Sequence, residues 1–264
     1  MPKFSANLSM LFTEVDFMER FERAASAGFK AVEYMFPYPY DASRIAETLK
    51  TCNLRQVLFN LPAGKWEAGE RGIALLGERK SEFEDGVGAA IRYAKALDCS
   101  LVNCLVGLTP PDVPKEKVRE ALVTNLWFAA EALAREGVRL LLESVNTRDI
   151  PGFYLSRTTD VLALIREVNH PNLYYQYDIY HMQVMEGDIT MTIRNNIKTI
   201  AHMQVADNPG RHEPGTGEIN YTNLFRFIDE LGYTGYVGCE YKPLTTTEEG
   251  LYWMRPYLKS EPVK

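Results

Sequence analysis

The chain has 264 residues, 46% of them hydrophobic and 24% charged, a balance that excludes a disordered or fibrous protein and allows a large buried core. Its net charge of −6 at pH 7, with lysines and arginines scattered along the chain, gives no general attraction for nucleic acid. Cys52, Cys99, Cys104 and Cys239 form no C-x-x-C pair, which excludes zinc ribbons and thioredoxin-like redox motifs.

Short apolar runs of β type alternate with amphipathic helical stretches along the chain. Residues 4–8 read as a first strand and 16–27 as a helix, in which Phe17, Phe21, Ala24 and Ala25 share a face and Gly28 stops the helix. A second strand is expected at 31–35, a helix capped by Asp41 after it, and a third strand at 54–59. A lead-in rich in glycine and charge, residues 60–79, precedes an S-x-x-E capping box, Ser81 and Glu84, that opens a helix carrying Val87, Ile91 and Ala94. The fourth strand is expected at 101–106, a long helix at 115–136, and the fifth strand at 138–143. The sixth falls at 173–178, the seventh at 200–205 and the eighth at 236–240. Helical patterns at 158–168, 189–198, 221–231 and 247–257 fill the gaps. Eight such units point to a single (β/α)8 TIM barrel over residues 1–264, and G-x-G-x-x-G is absent after the first strand, against a dinucleotide-binding open sheet.

Four successive strands end on a group able to bind a metal: Leu142-Glu143, Tyr177-Asp178, Met203-Gln204 and Cys239-Glu240. In a βα barrel the active site lies at these C-terminal strand ends. Three carboxylates there repel one another unless a cation sits between them. The all-oxygen set Glu143, Asp178, Gln204 and Glu240 favours Mg²⁺ or Mn²⁺ over zinc or copper. Each residue alone also reads as the cap of a following helix. Glu143 and Glu240 can further flank a substrate, one removing a proton beside a carbonyl and the other returning one to the neighbouring carbon. The ene-diolate formed in between is a charge that a cation stabilises, so the reaction class is aldose–ketose isomerisation.

His181, three residues past Asp178, suits a donor to a substrate oxygen or a histidine that only fixes its loop. Arg211, in the glycine- and proline-rich loop 207–217, suits a substrate carboxylate, and Lys242 is a second candidate for that contact. His202 reads as a hydrogen-bonded core histidine, Glu33 as a core pairing partner or a functional acid, and His170 as part of a surface turn.

Several longer stretches carry a family likeness: Phe4-Ser5-Ala6-Asn7-Leu8-Ser9-Met10-Leu11-Phe12, Asn60-Leu61-Pro62-Ala63-Gly64, Gln176-Tyr177-Asp178-Ile179-Tyr180-His181-Met182, Glu213-Pro214-Gly215-Thr216-Gly217-Glu218 and Gly238-Cys239-Glu240-Tyr241-Lys242-Pro243. With these the chain resembles the hydroxypyruvate isomerases of the xylose-isomerase-like barrel superfamily along nearly its whole length. The resemblance implies interconversion of hydroxypyruvate and tartronate semialdehyde (2-hydroxy-3-oxopropanoate), with Glu143 and Glu240 as proton donor and acceptor. It also implies a cation held at Glu143, Asp178, Gln204 and Glu240, and substrate contacts from His181 and Arg211. Two departures flank the site: Ser144-Val145-Asn146 stands where Pro-Ile-Asn is expected, and His212 where glycine is common.

Rival readings are the same chemistry on a longer acid by a 2-oxo-tetronate isomerase, a metal-dependent nuclease, and a non-catalytic sugar-acid binder. The nuclease is opposed by a count of only four histidines, the binder by the intact glutamate pair. The expected partner is a small anionic 2-oxo or hydroxy acid, with no nucleic acid and no membrane, and a homo-oligomer is left open. The N-terminus lacks a signal-peptide pattern and no apolar run approaches a membrane span, so a cytoplasmic location is expected. Residues 60–79, with their glycines and Trp66, are a candidate lid over the substrate, a closure the sequence leaves open.

Overall fold

The computed structural model describes residues 1–258, so positions 259–264 of the single-domain expectation lie outside the described residues. Eight parallel strands close into a barrel: β1 Lys3–Asn7, β2 Ala31–Glu33, β3 Arg55–Asn60, β4 Leu101–Cys104, β5 Arg139–Glu143, β6 Leu173–Asp178, β7 Ile200–Val205 and β8 Tyr236–Cys239. Closure comes from β1 pairing with β8, Lys3 opposite Tyr236 and Ala6 opposite Cys239. The helices between them are α1 Arg20–Ser26, α2 Ala42–Thr51, α3 Lys80–Ala96, α4 Lys115–Ala134, α5 Thr158–Val168, α6 Ile179–Met185, α7 Ile189–Asn196, α8 Tyr221–Glu230, α9 Thr247–Gly250 and α10 Arg255–Leu258.

Side chains on a strand alternate between faces, and here the alternation separates two kinds of interior. On β5, Leu140 and Leu142 pack outward into the large apolar layer beneath the helices, which Val118, Leu122 and Leu126 of α4 and Val161 and Leu164 of α5 complete. Leu141 points the other way, into a small apolar cluster with Ala31, Val57 and Leu101. Two residues further along the same inward faces come Glu33, Asn103 and Glu143, all buried. The barrel is therefore apolar low in its interior and polar towards the C-terminal strand ends.

Local signals explain most boundaries. The Asp41 carboxylate accepts the N–H groups of Ser43 and Arg44 at the start of α2, as a helix cap must. Gly28, with φ of 98°, turns the chain after α1 in a conformation that a side chain disfavours.

The Ser81–Glu84 capping box does not form. Arg79 donates to Glu70 and Glu82, and a 3-10 turn at Gly77–Arg79 runs straight into α3. Ser81 therefore lies within the first helical turn, and Glu84 pairs with Lys80 at 3.7 Å. The helix expected at 247–257 is broken into α9, a 3-10 turn and α10. Pro256 lacks the N–H that a continuous helix would use, and Trp253 packs on Phe4 and Phe225. His170 is not a free surface-turn residue: its side chain is only 7% exposed, held by Glu131 at 3.2 Å and edge-on to Trp127.

The lead-in 60–79 is packed down. Gly72 N donates to Ala63 O, and a Cβ at Gly72 would collide with the Leu105 carbonyl. Within it, the Arg71 guanidinium stacks 4.1 Å from the Trp66 ring.

Candidate active site

A cavity of ≈ 80 Å³ opens at the C-terminal strand ends, lined by Glu143, Gln176, His181, Gln204, Arg211 and Glu240, with Trp66, Leu105 and Ile150 as apolar walls. A larger cavity, ≈ 480 Å³, lies at the opposite end among Met1, Phe4, Phe29, Lys30 and Tyr236, and no carboxylate or histidine lines it. Of these two cavities, only the first is lined by carboxylates and a histidine.

Glu240 follows β8 directly and is surrounded by donors. Its Oε2 accepts from Asn7 Nδ2 at 2.7 Å and Gln204 Nε2 at 2.6 Å, and its Oε1 accepts from Arg211 Nη2 at 2.6 Å. Beneath lies Glu33. It accepts from Ser5 Oγ at 2.7 Å and Gln204 Nε2 at 2.8 Å, contacts His202 Nε2 at 2.8 Å, and receives Asn7 Nδ2 at 3.2 Å. Gly238 makes room for it, since a Cβ there would collide with the Glu33 carboxylate. Burial alone would raise the Glu33 carboxyl, but the His202 charge and these hydrogen bonds hold it below the ordinary 4.5. Burial also raises Glu240, with Asp178 and Glu33 adding repulsion and Arg211 opposing, and its carboxyl is pushed up to about 8.

The Glu143 side is built differently. Glu143 accepts one amide bond, from Asn103 Nδ2 at 3.0 Å, and burial with repulsion from Glu240 and Asp178 pushes its carboxyl well above the ordinary range. Asp178 caps α6 through His181 N, 2.9 Å from Oδ1, while its Oδ2 is buried with no hydrogen-bond partner among the described residues and His181 Nε2 3.8 Å away. Gln176 Oε1 is likewise buried with no hydrogen-bond partner among the described residues. Ligand atoms of Glu143, Asp178 and His181 lie within 4.8 Å of one another. Unpartnered oxygens beside crowded carboxylates suit a cation, so the residues present fit a hard divalent metal.

The sequence-predicted set is thus only partly assembled. Glu143, Asp178, His181, Arg211, Gln204 and Glu240 converge, but Gln204 does not offer its oxygen as a ligand. Its Oε1 accepts from Gln176 Nε2 at 2.7 Å, and its N–H groups face Glu33 and Glu240, where an oxygen would meet two carboxylates. Lys242 is not brought in. Its side chain is exposed, and it serves through its backbone, N–H to Arg211 O at 2.8 Å and O to His212 Nδ1 at 2.7 Å. Those bonds help hold Arg211 in the left-handed conformation, φ 59°, on a loop wound around the Asp207 carboxylate, which accepts from the N–H groups of Asn208, Gly215 and Ile219. His202 is the core histidine expected, buried against Glu33. Asn7, Gln176, Asn103 and Asn146 were missed as parts of the site. For Asn7 and Gln176 the available signal was a position two residues from Ser5 and Asp178, and for Asn146 a place in the loop just past a strand end; Asn103, two residues from Leu101 and Leu105, carried no such signal.

A family model described as a xylose isomerase-like TIM barrel matches residues 21–257. The chain is 56% identical to the hydroxypyruvate isomerase of Escherichia coli (strain K12), over 97% of this chain and 100% of that one. It is 45% identical to the 2-oxo-tetronate isomerase of Cupriavidus necator, over 98% and 99%. A solved structure titled as an AP endonuclease, family 2, from Brucella melitensis superposes with a TM-score of 0.95 at 46% identity, covering 97% of this chain and 99% of that one. Closed topology, a polar cavity at the C-terminal strand ends and full-length matches agree: the chain belongs to the xylose isomerase-like TIM barrel family.

Proposed function

We propose that this chain is an aldose–ketose isomerase that interconverts hydroxypyruvate and 2-hydroxy-3-oxopropanoate. The observation that carries the reading is a pair of buried glutamates, Glu143 from β5 and Glu240 after β8, lining one small cavity beside two cavity-facing donors, His181 and Arg211. Burial raises both carboxyls, with repulsion from Glu240 and Asp178 adding to it at Glu143 and from Asp178 and Glu33 at Glu240, which suits groups that must exchange a proton near neutral pH. One glutamate, ionised, takes a hydrogen from the hydroxymethyl carbon. The other, protonated, delivers one to the former carbonyl carbon, while the hydroxyl proton passes to the carbonyl oxygen. Arg211 holds the substrate carboxylate, with an Nε that has no partner among the described residues. His181 faces a substrate oxygen, and Trp66 closes the apolar side against water.

A divalent cation, Mg²⁺ or Mn²⁺, would be held by Glu143 and Asp178, with Glu240 as a further carboxylate of the same cavity. It would supply charge stabilisation for the oxygens of the ene-diolate. The cavity, at ≈ 80 Å³, is small and suits a short acid. A nuclease reading has little support: of the four histidines, only His181 lines the cavity. Among the described residues no helix is long and apolar enough to cross a membrane.

The test is a proton NMR time course with hydroxypyruvate in D2O, after chelation and again with Mg²⁺ restored. Deuterium incorporated at C2 of 2-hydroxy-3-oxopropanoate is the expected result. No conversion in either condition, with turnover of a four-carbon 2-oxo acid instead, would transfer the assignment to the 2-oxo-tetronate reaction.

A further inference from the structure

Asn146 lies three residues past Glu143 on the loop after β5, and its side chain is fully buried. The orientation of its amide follows from its partners. Oδ1 sits 2.7 Å from the backbone N–H of Asp149, a group that can only donate, so the other end must be the NH2. That Nδ2 lies 2.6 Å from His181 Nδ1 and 3.2 Å from Asp149 Oδ2. The backbone N–H of Asn146 points at the same ring nitrogen from 3.3 Å.

Two donors from one residue therefore converge on His181 Nδ1, which must present its lone pair. A neutral ring then carries its proton on Nε2, and a doubly protonated ring would set Nδ1–H against both donors.

On the cavity side, Nε2 lies 3.4 Å from Arg211 Nη2 and 3.8 Å from the unpartnered Asp178 Oδ2. Arg211 also points a donor at Nε2, so the two faces of the ring make competing claims. The Nδ1 side prevails, with two donors, the nearer at 2.6 Å, against one at 3.4 Å whose group is already bound to Glu240. Two N–H groups that close together need an acceptor between them, and a substrate oxygen is the acceptor that fits.

We propose that Asn146 is a positioning residue that locks His181 in the Nε2–H tautomer, so that His181 enters the cavity as a hydrogen-bond donor beside Arg211 and not as a metal ligand. What the donor pair holds rests on the isomerase reading; the tautomer itself does not.

The experiment uses the full chain labelled with ¹⁵N-histidine. Long-range ¹H–¹⁵N correlation spectra show which ring nitrogen bears hydrogen, and His181→Gln assigns the signal. The wild type should show Nε2 protonated and Nδ1 bare, unchanged when Mg²⁺ is added. Asn146→Asp replaces the donor with a carboxylate oxygen that only accepts, and should move the proton to Nδ1. Its kcat for hydroxypyruvate should fall about 10²–10³-fold, the usual effect of losing one such donor.

A wild-type spectrum with Nδ1 protonated, or an Nε2 that loses its proton on adding Mg²⁺, overturns the proposal even if the variant does not fold. A flipped tautomer with unchanged kcat overturns the donor role. A wild type with the expected tautomer but no isomerase activity leaves the lock standing and removes the proposed function.

Discussion

The two glutamates that define the cavity have opposite surroundings. Glu240 is met by three donors, Asn7, Gln204 and Arg211, whereas Glu143 has one amide bond and two bare buried oxygens nearby, Asp178 Oδ2 and Gln176 Oε1. One half of the site is already neutralised by the protein's own hydrogen bonds and arginine. The other half is rich in acceptors. On the proposed reading an anionic substrate would sit beside Arg211 and a cation on the Glu143 side, a division of charge that would let one small cavity serve both.

The sharpest way to break this comparison is to neutralise each acid in turn. Glu143→Gln and Glu240→Gln should each lower kcat by about 10²–10⁴-fold, since each removes a proton-transfer group. They should part on metal: titration calorimetry with Mg²⁺ is expected to show a much larger loss of affinity for Glu143→Gln. Equal losses would mean that the two halves are not distinct.

Next in size is the support below Glu240. Glu33→Leu leaves Ser5, His202, Gln204 and Asn7 with donors facing no acceptor, and should cost about 3–5 kcal/mol in urea unfolding. Because folding holds the Glu33 carboxyl below its ordinary 4.5, its contribution is complete above that pH and is lost as pH falls through the lower folded value. Unfolding midpoints measured downwards from pH 5 should therefore drop less steeply in Glu33→Gln than in the wild type, and parallel curves would count against the assignment.

The smallest effect is expected outside the cavity. Lys242→Ala should keep stability within about 0.5 kcal/mol and leave kcat/KM nearly unchanged, because only the backbone of Lys242 is used. A loss of substrate affinity on that change would bring the lysine into the anion-binding half.

Sequence alone determined the barrel and the identity of its principal acids. The strands Leu173–Asp178 and Ile200–Val205 and the helix Thr158–Val168 have the boundaries read from their patterns, because local periodicity and flanking polar residues set them. Glu143, Asp178 and Glu240 could be found because a parallel barrel puts every strand's C-terminal end on one face. Other features depended on partners distant in sequence. Ser81 lost its cap role to Arg79, which Glu70 and Glu82 had fixed, and Lys242 was turned outward by a loop that uses only its backbone. The direction of the Gln204 amide was decided by Glu33, 171 positions away, and the face of the His181 ring by Asn146, 35 away. A residue type states what a side chain can donate or accept; which of its ends meets which neighbour is set only when the closed barrel brings those neighbours within hydrogen-bond distance.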